Sequence, residues 1–351
     1  MTRSVTVLIA SPLEAELAQR VAELDERIEL LYEPELLPPA RFVGDTAGEP
    51  SFERGSEGER RFGELLARAE VLYGMPGGSG KGLADALRRG PSVRWVQGRN
   101  AGAGEQVADA ARIAPAEVGR VAVTTSSGVH AGPLAEFCML GLLAFAKDLP
   151  RLERDRTERS WPELPAPGHE LRGRTLVVVG LGAIGREIAR LAQAFGMCVV
   201  GVRRNPSPDE GVDAVHPPER LAELATEAND MAVTLPLTEA TRGMVDSDTF
   251  AALGPGGVFV NVGRGGVVDE GALIERLRDG TLAGAALDVF QREPLPADSP
   301  LWALPNVILS PHGAALVTAE PVRVLELFLD NLRRYLDGEP LRNRVDLEAL
   351  Y

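Results

Sequence analysis

The sequence predicts an α/β protein of two domains with parallel, doubly wound sheets, and three observations carry that prediction. Apolar runs of strand length alternate with helix-length stretches along most of the chain. One glycine-spaced turn, Gly180-Leu181-Gly182-Ala183-Ile184-Gly185, joins such a strand directly to such a helix. The 351 residues also exceed what a single hydrophobic core usually organises.

Taken in order, Val5 to Ile9 reads as a strand, Leu13 to Leu24 as a helix, and a second apolar run begins at Ile28, which is βαβ grammar. The N-terminal stretch is read as this first strand, because acidic helix-like sequence follows where a signal peptide would have its small-residue cleavage site. Residues 41–60 are rich in Gly, Glu and Ser with little periodicity and predict a mobile surface segment without chemistry. Strands follow at Val71 (leading into a glycine loop that ends at Gly80), at Val93 to Gln97 (followed by the loop RNAGAG) and at Val121 to Thr125. Ala135 to Ala146 is apolar on nearly all sides, as in a helix buried between domains or subunits, and places a boundary near residue 129. After a charged, Pro-rich passage (Leu149 to Pro167), strands are expected at Thr175 to Val179, Met197 to Val202, Met231 to Leu235, Val258 to Val262, Ala285 to Val289 and Val307 to Leu309. A last helix, about Ala319 to Leu336, is expected to return to the first domain.

Composition narrows the function classes. With 44% hydrophobic and 25% charged residues, and no apolar run near the roughly 20 residues of a membrane span, the chain predicts a soluble protein with no membrane partner. A net charge of −14 disfavours nucleic acid and anionic lipid, so any anionic ligand needs locally placed cations. Cys138 and Cys198, both in apolar sequence, are expected to be buried, reduced thiols of a cytoplasmic protein.

The glycine turn is weak evidence alone, but its position between strand and helix is where a dinucleotide pyrophosphate meets backbone N–H groups and a helix N-terminus. Gly180 and Gly182 let the backbone turn and approach the ligand, and Gly185 lets the helix pack closely. The next strand ends in Arg203-Arg204 instead of a carboxylate. Guanidinium groups there suit a ribose 2′-phosphate, so NADP(H) is the favoured cofactor, with NAD(H) possible.

Arg264, Glu293 and His312 each follow a predicted parallel strand, and such strand ends share one cleft. Singly, an Arg in a glycine loop, a Glu before Pro and a His after Pro are ordinary loop residues. Together they suit reduction of a 2-oxo acid: an imidazole to deliver a proton, a carboxylate to stabilise imidazolium and orient the ring, and a guanidinium to hold and polarise the oxo-carboxylate. No metal site is assigned, and His130, His169 and His216 have no chemical context.

On the segments HAGPLAEF, ELRGRTLVVVGLGAIG, LPLTEATRGMV, NVGRGGVVDEGALIERLRDGTLAGAALDVFQREPLP and SPLWALPNVILSPHGA, the chain resembles the D-isomer-specific 2-hydroxyacid dehydrogenases, most strongly from Gly128 to Ala315. Glyoxylate/hydroxypyruvate reductases are members of that family. The resemblance implies two Rossmann-like domains: a discontinuous substrate domain of residues 1–129 and 313–351, and a dinucleotide-binding domain of 130–312, with closure about the two crossings. It implies Arg264 as the substrate-orienting arginine, His312 as acid/base and Glu293 as its partner, acting on a small anionic 2-oxo or 2-hydroxy acid. Ala183, Ile184 and Pro236 join the cofactor set, and Asp288 would receive the nicotinamide carboxamide, unless it is only a strand-end cap. Gly77, Gly78, Ala101 and Gly102, in the loops MPGG and RNAGAG, would offer amides to the substrate carboxylate. A homodimer is implied, with the apolar helix Leu134 to Ala146 and Trp161 as its surface, unless that helix packs within the chain. Arg99 departs from the family's small or neutral residue and is read either as a contact for an extra acidic group of the substrate or as a surface charge. Within the fold, formate-type enzymes carry Gln in place of Glu293. Phosphite oxidation is compatible with the Glu and His pair, and a dinucleotide-sensing scaffold of the corepressor kind could be built on the same frame.

Overall fold

The computed structural model describes residues 4–164, 167–207 and 211–346, and the chain divides into two compact units, Met1–Val129 with Leu316–Tyr351, and His130–Ala315. In the first unit β1 (Val5–Ile9), α1 (Ala15–Ala22), β2 (Ile28–Leu31), α2 (Ser56–Arg68), β3 (Val71–Tyr73), α3 (Gly80–Arg89), β4 (Trp95–Gln97), α4 (Gly104–Ile113), α5 (Pro115–Gly119) and β5 (Ala122–Thr124) form a parallel sheet of order β2-β1-β3-β4-β5 with covering helices. Two of the inner strands, VLY and WVQ, are buried at every position, as parallel strands covered on both faces must be.

In the second unit α6 (Ala131–Ala146) and α7 (Leu149–Glu158) precede β6 (Thr175–Val179), α8 (Ala183–Ala194), β7 (Cys198–Val202), β8 (Ala214–His216), α9 (Leu221–Glu227), β9 (Asp230–Val233), α10 (Ser247–Ala252), β10 (Gly257–Asn261), α11 (Glu270–Arg278), β11 (Leu282–Leu287) and β12 (Val307–Leu309). The seven strands are parallel, in the order β12-β11-β10-β9-β6-β7-β8. Strand order reverses between β6 and β9, which puts the glycine turn after β6 at the switch point where such sheets open a crevice. The return to the first unit comes after Ala315, because the amides of Gly313 and Ala314 are still held by Asp288 of the second. Helix α12 (Glu320–Asp337) then lays Val324, Leu325, Phe328 and Leu332 on the first core, at helical spacing. Its Phe328 stacks on the buried Trp95 at 5.2 Å and meets Tyr73 edge-on at 4.8 Å.

Four expectations need correction. The segment 41–60 is not a plain mobile loop: Ser56 opens α2, and the buried Asp45 carboxylate binds Arg41 at 2.7 Å and the amides of Ala47 and Gly48 at 3.1 and 3.0 Å. A side chain there supplies the hydrogen bonds that a repeating backbone would, and leaves no periodicity to detect. The passage from Leu149 contains α7, a helix without buried residues, ion-paired through Arg151 to Asp148 and Asp155. The series of strands gains one more, the short β8, whose half-buried positions form no apolar run. Cys198 is exposed, unlike Cys138, because it begins β7 ahead of the strand's buried positions; both thiols are free. No described helix is long and apolar enough to cross a membrane.

Helix α6 spends its apolar surface inside its own unit. A Cβ on Gly141 would stand 2.6 Å from that of Ala286 in β11, and Ala135, Cys138, Leu142 and Ala146 are fully buried. What stays outside is Leu140, followed by Leu149, Leu152, Leu164 and Trp161, the last 96% exposed.

Candidate active site

Every candidate of the second unit lies at the carboxyl edge of one sheet, so strand order converts sequence distance into proximity. His312 follows β12, Asp288 follows β11, Arg264 follows β10, Pro236 follows β9, Gly180 follows β6 and Arg203 follows β7. Proton-transfer candidates therefore occupy one half of the edge, with Asp288 between them, and the pyrophosphate and ribose candidates the other.

On the nucleotide half, Gly180 has φ +107°, accessible to glycine at little cost, and its carbonyl accepts the Thr234 hydroxyl at 2.7 Å. A Cβ on Gly185 would stand 1.9 Å from the Gly180 oxygen, so only glycine lets α8 approach this closely. A Cβ on Gly182 would meet nothing within 4 Å, and no side chain caps this start of α8. Open space in front of uncapped helix N–H groups, flanked by Ala183 and Ile184, fits a pyrophosphate. Arg203 and Arg204 follow β7, the first half-buried with its amide on the His216 carbonyl at 3.0 Å, the second exposed. The exposed Pro236 accepts the Thr241 hydroxyl on its carbonyl at 2.6 Å.

On the other half, His312 Nδ1 lies 2.8 Å from Glu293 Oε2, with side-chain exposures of 48% and 34%. A carboxylate partner requires the proton on Nδ1, which leaves Nε2 as the ring atom facing outward for exchange. The second carboxylate oxygen, Oε1, accepts the Phe290 amide at 3.0 Å, so Glu293 is itself oriented by the turn that carries it. His312 has φ 55°, a conformation rare for a non-glycine residue, and the turn around it is pinned: Asp288 Oδ1 accepts the Ser310 hydroxyl at 2.6 Å and the amides of Gly313 and Ala314 at 2.8 and 2.9 Å. Asp288 is thus a strand-end cap, while its Oδ2 makes no hydrogen bond among the described residues.

Arg264 is brought to the same place by two devices. Asn261, at the end of β10, accepts the Gly263 amide at 3.0 Å and donates to the Arg264 carbonyl at 3.3 Å. Gly265 lies so close to the Phe290 backbone that a Cβ would come within 1.9 Å of it, which locks the arginine loop against the glutamate turn. Arg264 Nη1 donates to the Gly263 carbonyl at 2.8 Å. Asn261, Ser310 and Thr234 hold the loops that carry these candidates, and no sequence motif singles them out; a polar residue at each strand end, just before a candidate loop, is the signal that marks them.

In the first unit Gly77 (φ +62°) and Gly78 (φ +58°) form a left-handed turn, and the Gly78 amide closes it on the Met75 carbonyl at 2.9 Å. That amide is therefore not available to a ligand, which corrects the expectation for Gly78. Ala101 is exposed and Gly102 half-buried in the turn before α4. Arg99 is not a surface charge: the residue is 5% exposed, its Nη1 donates to Ser11 Oγ at 3.3 Å and to the Pro12 carbonyl, and its guanidinium carbon lies 5.5 Å from the Tyr73 ring centroid. Among the described residues, no cluster of His, Cys, Asp or Glu could hold a metal ion.

Residues 139–314 match the family described as D-isomer specific 2-hydroxyacid dehydrogenase, NAD binding domain. The chain belongs to this family. It is 35% identical over 253 residues to a (S)-sulfolactate dehydrogenase of Chromohalobacter salexigens, a match covering 72% of this chain and 80% of the relative. It is 36% identical over 236 residues to a glyoxylate reductase of Korarchaeum cryptofilum, covering 65% and 70%. Among solved structures, a D-isomer specific 2-hydroxyacid dehydrogenase from Xanthobacter autotrophicus Py2, in complex with NADPH and MES, superposes with a TM-score of 0.75 at 29% identity, over 99% of this chain and 100% of that one. With its family, the chain is an NAD(P)-dependent oxidoreductase.

Proposed function

We propose that this protein reduces a small 2-oxo acid to the D-2-hydroxy acid with NADP(H) as the favoured cofactor. The observation that carries this reading is the His312–Glu293 pair at 2.8 Å, on the same sheet edge as Arg264 and an open glycine turn. A bound nicotinamide supplies the hydride for the carbonyl carbon. The protein's own part is to place charge and a proton: Arg264 holds the carboxylate and polarises the oxo group, His312 delivers the proton from Nε2 to the carbonyl oxygen, and Glu293 stabilises the ring while it is charged. Oxidation runs the same path backwards, with His312 receiving the hydroxyl proton. Asp288 then serves twice, Oδ1 fixing the His312 turn and Oδ2 open to the nicotinamide carboxamide. Ala101, Gly102 and Gly77 are the remaining amide candidates for the substrate carboxylate.

Preference for the phosphorylated cofactor rests on Arg203 and Arg204 in place of a carboxylate after β7, and the NADPH-bound relative is consistent with it. The exposed Leu149, Leu152, Leu164 and Trp161 support a homodimer, and the free thiols support a reduced, cytoplasmic setting. The test is a panel of 2-oxo acids with each cofactor, followed by nicotinamide absorbance. NADPH should exceed NADH in kcat/KM, and the double variant Arg203→Ala/Arg204→Ala should lose that preference by about tenfold or more. Turnover of no 2-oxo acid, with cofactor bound, would favour a dinucleotide-sensing scaffold.

A further inference from the structure

The buried Arg99 has no place in the chemistry above. Its Nη1 donates to Ser11 and Pro12, no carboxylate among the described residues pairs with it, and its buried Nε has no hydrogen-bond partner. A cation taken out of water with only neutral neighbours, the Tyr73 ring and hydroxyl among them, and no carboxylate paired to it is a costly arrangement that a bound anion would relieve.

Arg99 lines two hollows, and their chemistry differs. One, of about 410 Å³, also has Glu14, Glu35 and Asp45 in its wall and would repel an anion. The other has no acidic residue: Ser11, Thr46, Gly78, Asn100 and Gln106 line it with Arg99, and at about 10 Å³ it accepts one water-sized atom. Gly78 and Asn100 belong to the two loops offered above as substrate contacts. On a protein of net charge −14, a small pocket with a cation, hydroxyl and amide neighbours and no acid is a local exception.

We infer that Arg99, with Ser11 and Asn100, forms a subsite for a second anionic group, so that the preferred substrates are short 2-oxo acids with a terminal carboxylate or sulfonate. One oxygen of that group occupies the small pocket that Arg99 lines with Ser11 and Asn100; no covalent step is involved. This inference rests on the proposed reduction of 2-oxo acids for its substrate class, and binding can test it without turnover.

Glycolate and tartronate are 2-hydroxy acids that differ by one carboxylate, and their affinities for the NADPH-loaded protein, which cannot accept a hydride from them, are measured by calorimetry. Tartronate should bind at least about tenfold more tightly than glycolate, the yield of one charge-assisted hydrogen bond. In Arg99→Gln that ratio should fall to within about twofold, and in Arg99→Lys and Ser11→Ala to intermediate values, because a point charge or a loosened fork retains part of the contact. Ratios cancel general damage to the fold, and the two milder variants carry the test if Arg99→Gln does not fold. Equal affinities in the native protein overturn the inference, as does a tartronate preference that survives all three substitutions. A crystal structure of the tartronate complex with only water in the pocket beside Arg99 overturns it too. If the ratio depends on Arg99 while no 2-oxo acid is reduced, the subsite stands and the proposed reaction falls.

Discussion

Replacing Glu293 by Gln separates the charge of the His312 partner from its shape. The amide oxygen can still accept the Phe290 amide now held at 3.0 Å, so the turn should persist. What disappears is the attraction between carboxylate and imidazolium, whose atoms lie 2.8 Å apart. Charge centres about 4 Å apart attract by about 4 kcal/mol at an effective dielectric constant near 20. At 48% and 34% exposure solvent screens part of this, and fully exposed pairs retain only ~0.2–1 kcal/mol, so about 1.5–3 kcal/mol is the reasonable range. That corresponds to a roughly 10- to 150-fold loss of kcat for 2-oxo acid reduction. His312→Gln removes the proton donor itself and should cost ~10²–10⁴-fold. The double variant should be no slower than His312→Gln alone, because the carboxylate has nothing left to stabilise. Steady-state kinetics with NADPH, with cofactor affinity measured by fluorescence, checks the cycle. Additive losses, or a Glu293→Gln enzyme with native kcat, would refute the pairing as the catalytic device.

The glycine turn and the Asp45 knot give two further expectations. Gly182→Ala should fold like the native protein, since its Cβ meets nothing within 4 Å, yet bind NADPH about tenfold more weakly or worse because the methyl fills the space meant for pyrophosphate; Gly185→Ala, 1.9 Å from a carbonyl oxygen, should lower Tm as well as binding. Undiminished affinity in Gly182→Ala would move the cofactor elsewhere. Asp45→Asn should destabilise the fold by about 2–3 kcal/mol at neutral pH, since its buried carboxylate forms charge-assisted hydrogen bonds with the Arg41 guanidinium and three amides. The guanidinium beside it holds this carboxyl well below its ordinary 3.8, so the stabilisation is complete above that value and lost as pH falls towards the folded one. Melting curves of both proteins should therefore converge in acid, and a gap that stays constant would show that the carboxylate charge is not responsible.

The order of elements was legible in the residues because parallel strands buried on both faces must be continuous apolar runs, and the glycine spacing stands where a turn needs a positive φ and a close helix. The types at the proposed site, Arg264, Glu293 and His312, were legible because each follows such a run. The linear pattern missed α7 and the ordered part of 41–60. There, ion pairs and a single buried carboxylate do the work of apolar periodicity.

Residue type and period are local properties, so they specify the apolar strands, the turn whose spacing suits a pyrophosphate and the residues with the chemistry for proton transfer, but not the half-buried β8. Only the tertiary structure decided that Glu293 reaches His312, that Asp288 fastens the turn beneath it, and that Cys198 faces outward while Arg99 is buried. Those outcomes depend on strand order and on the close approach of backbones far apart in the chain, such as Gly265 on Phe290, which no linear spacing encodes.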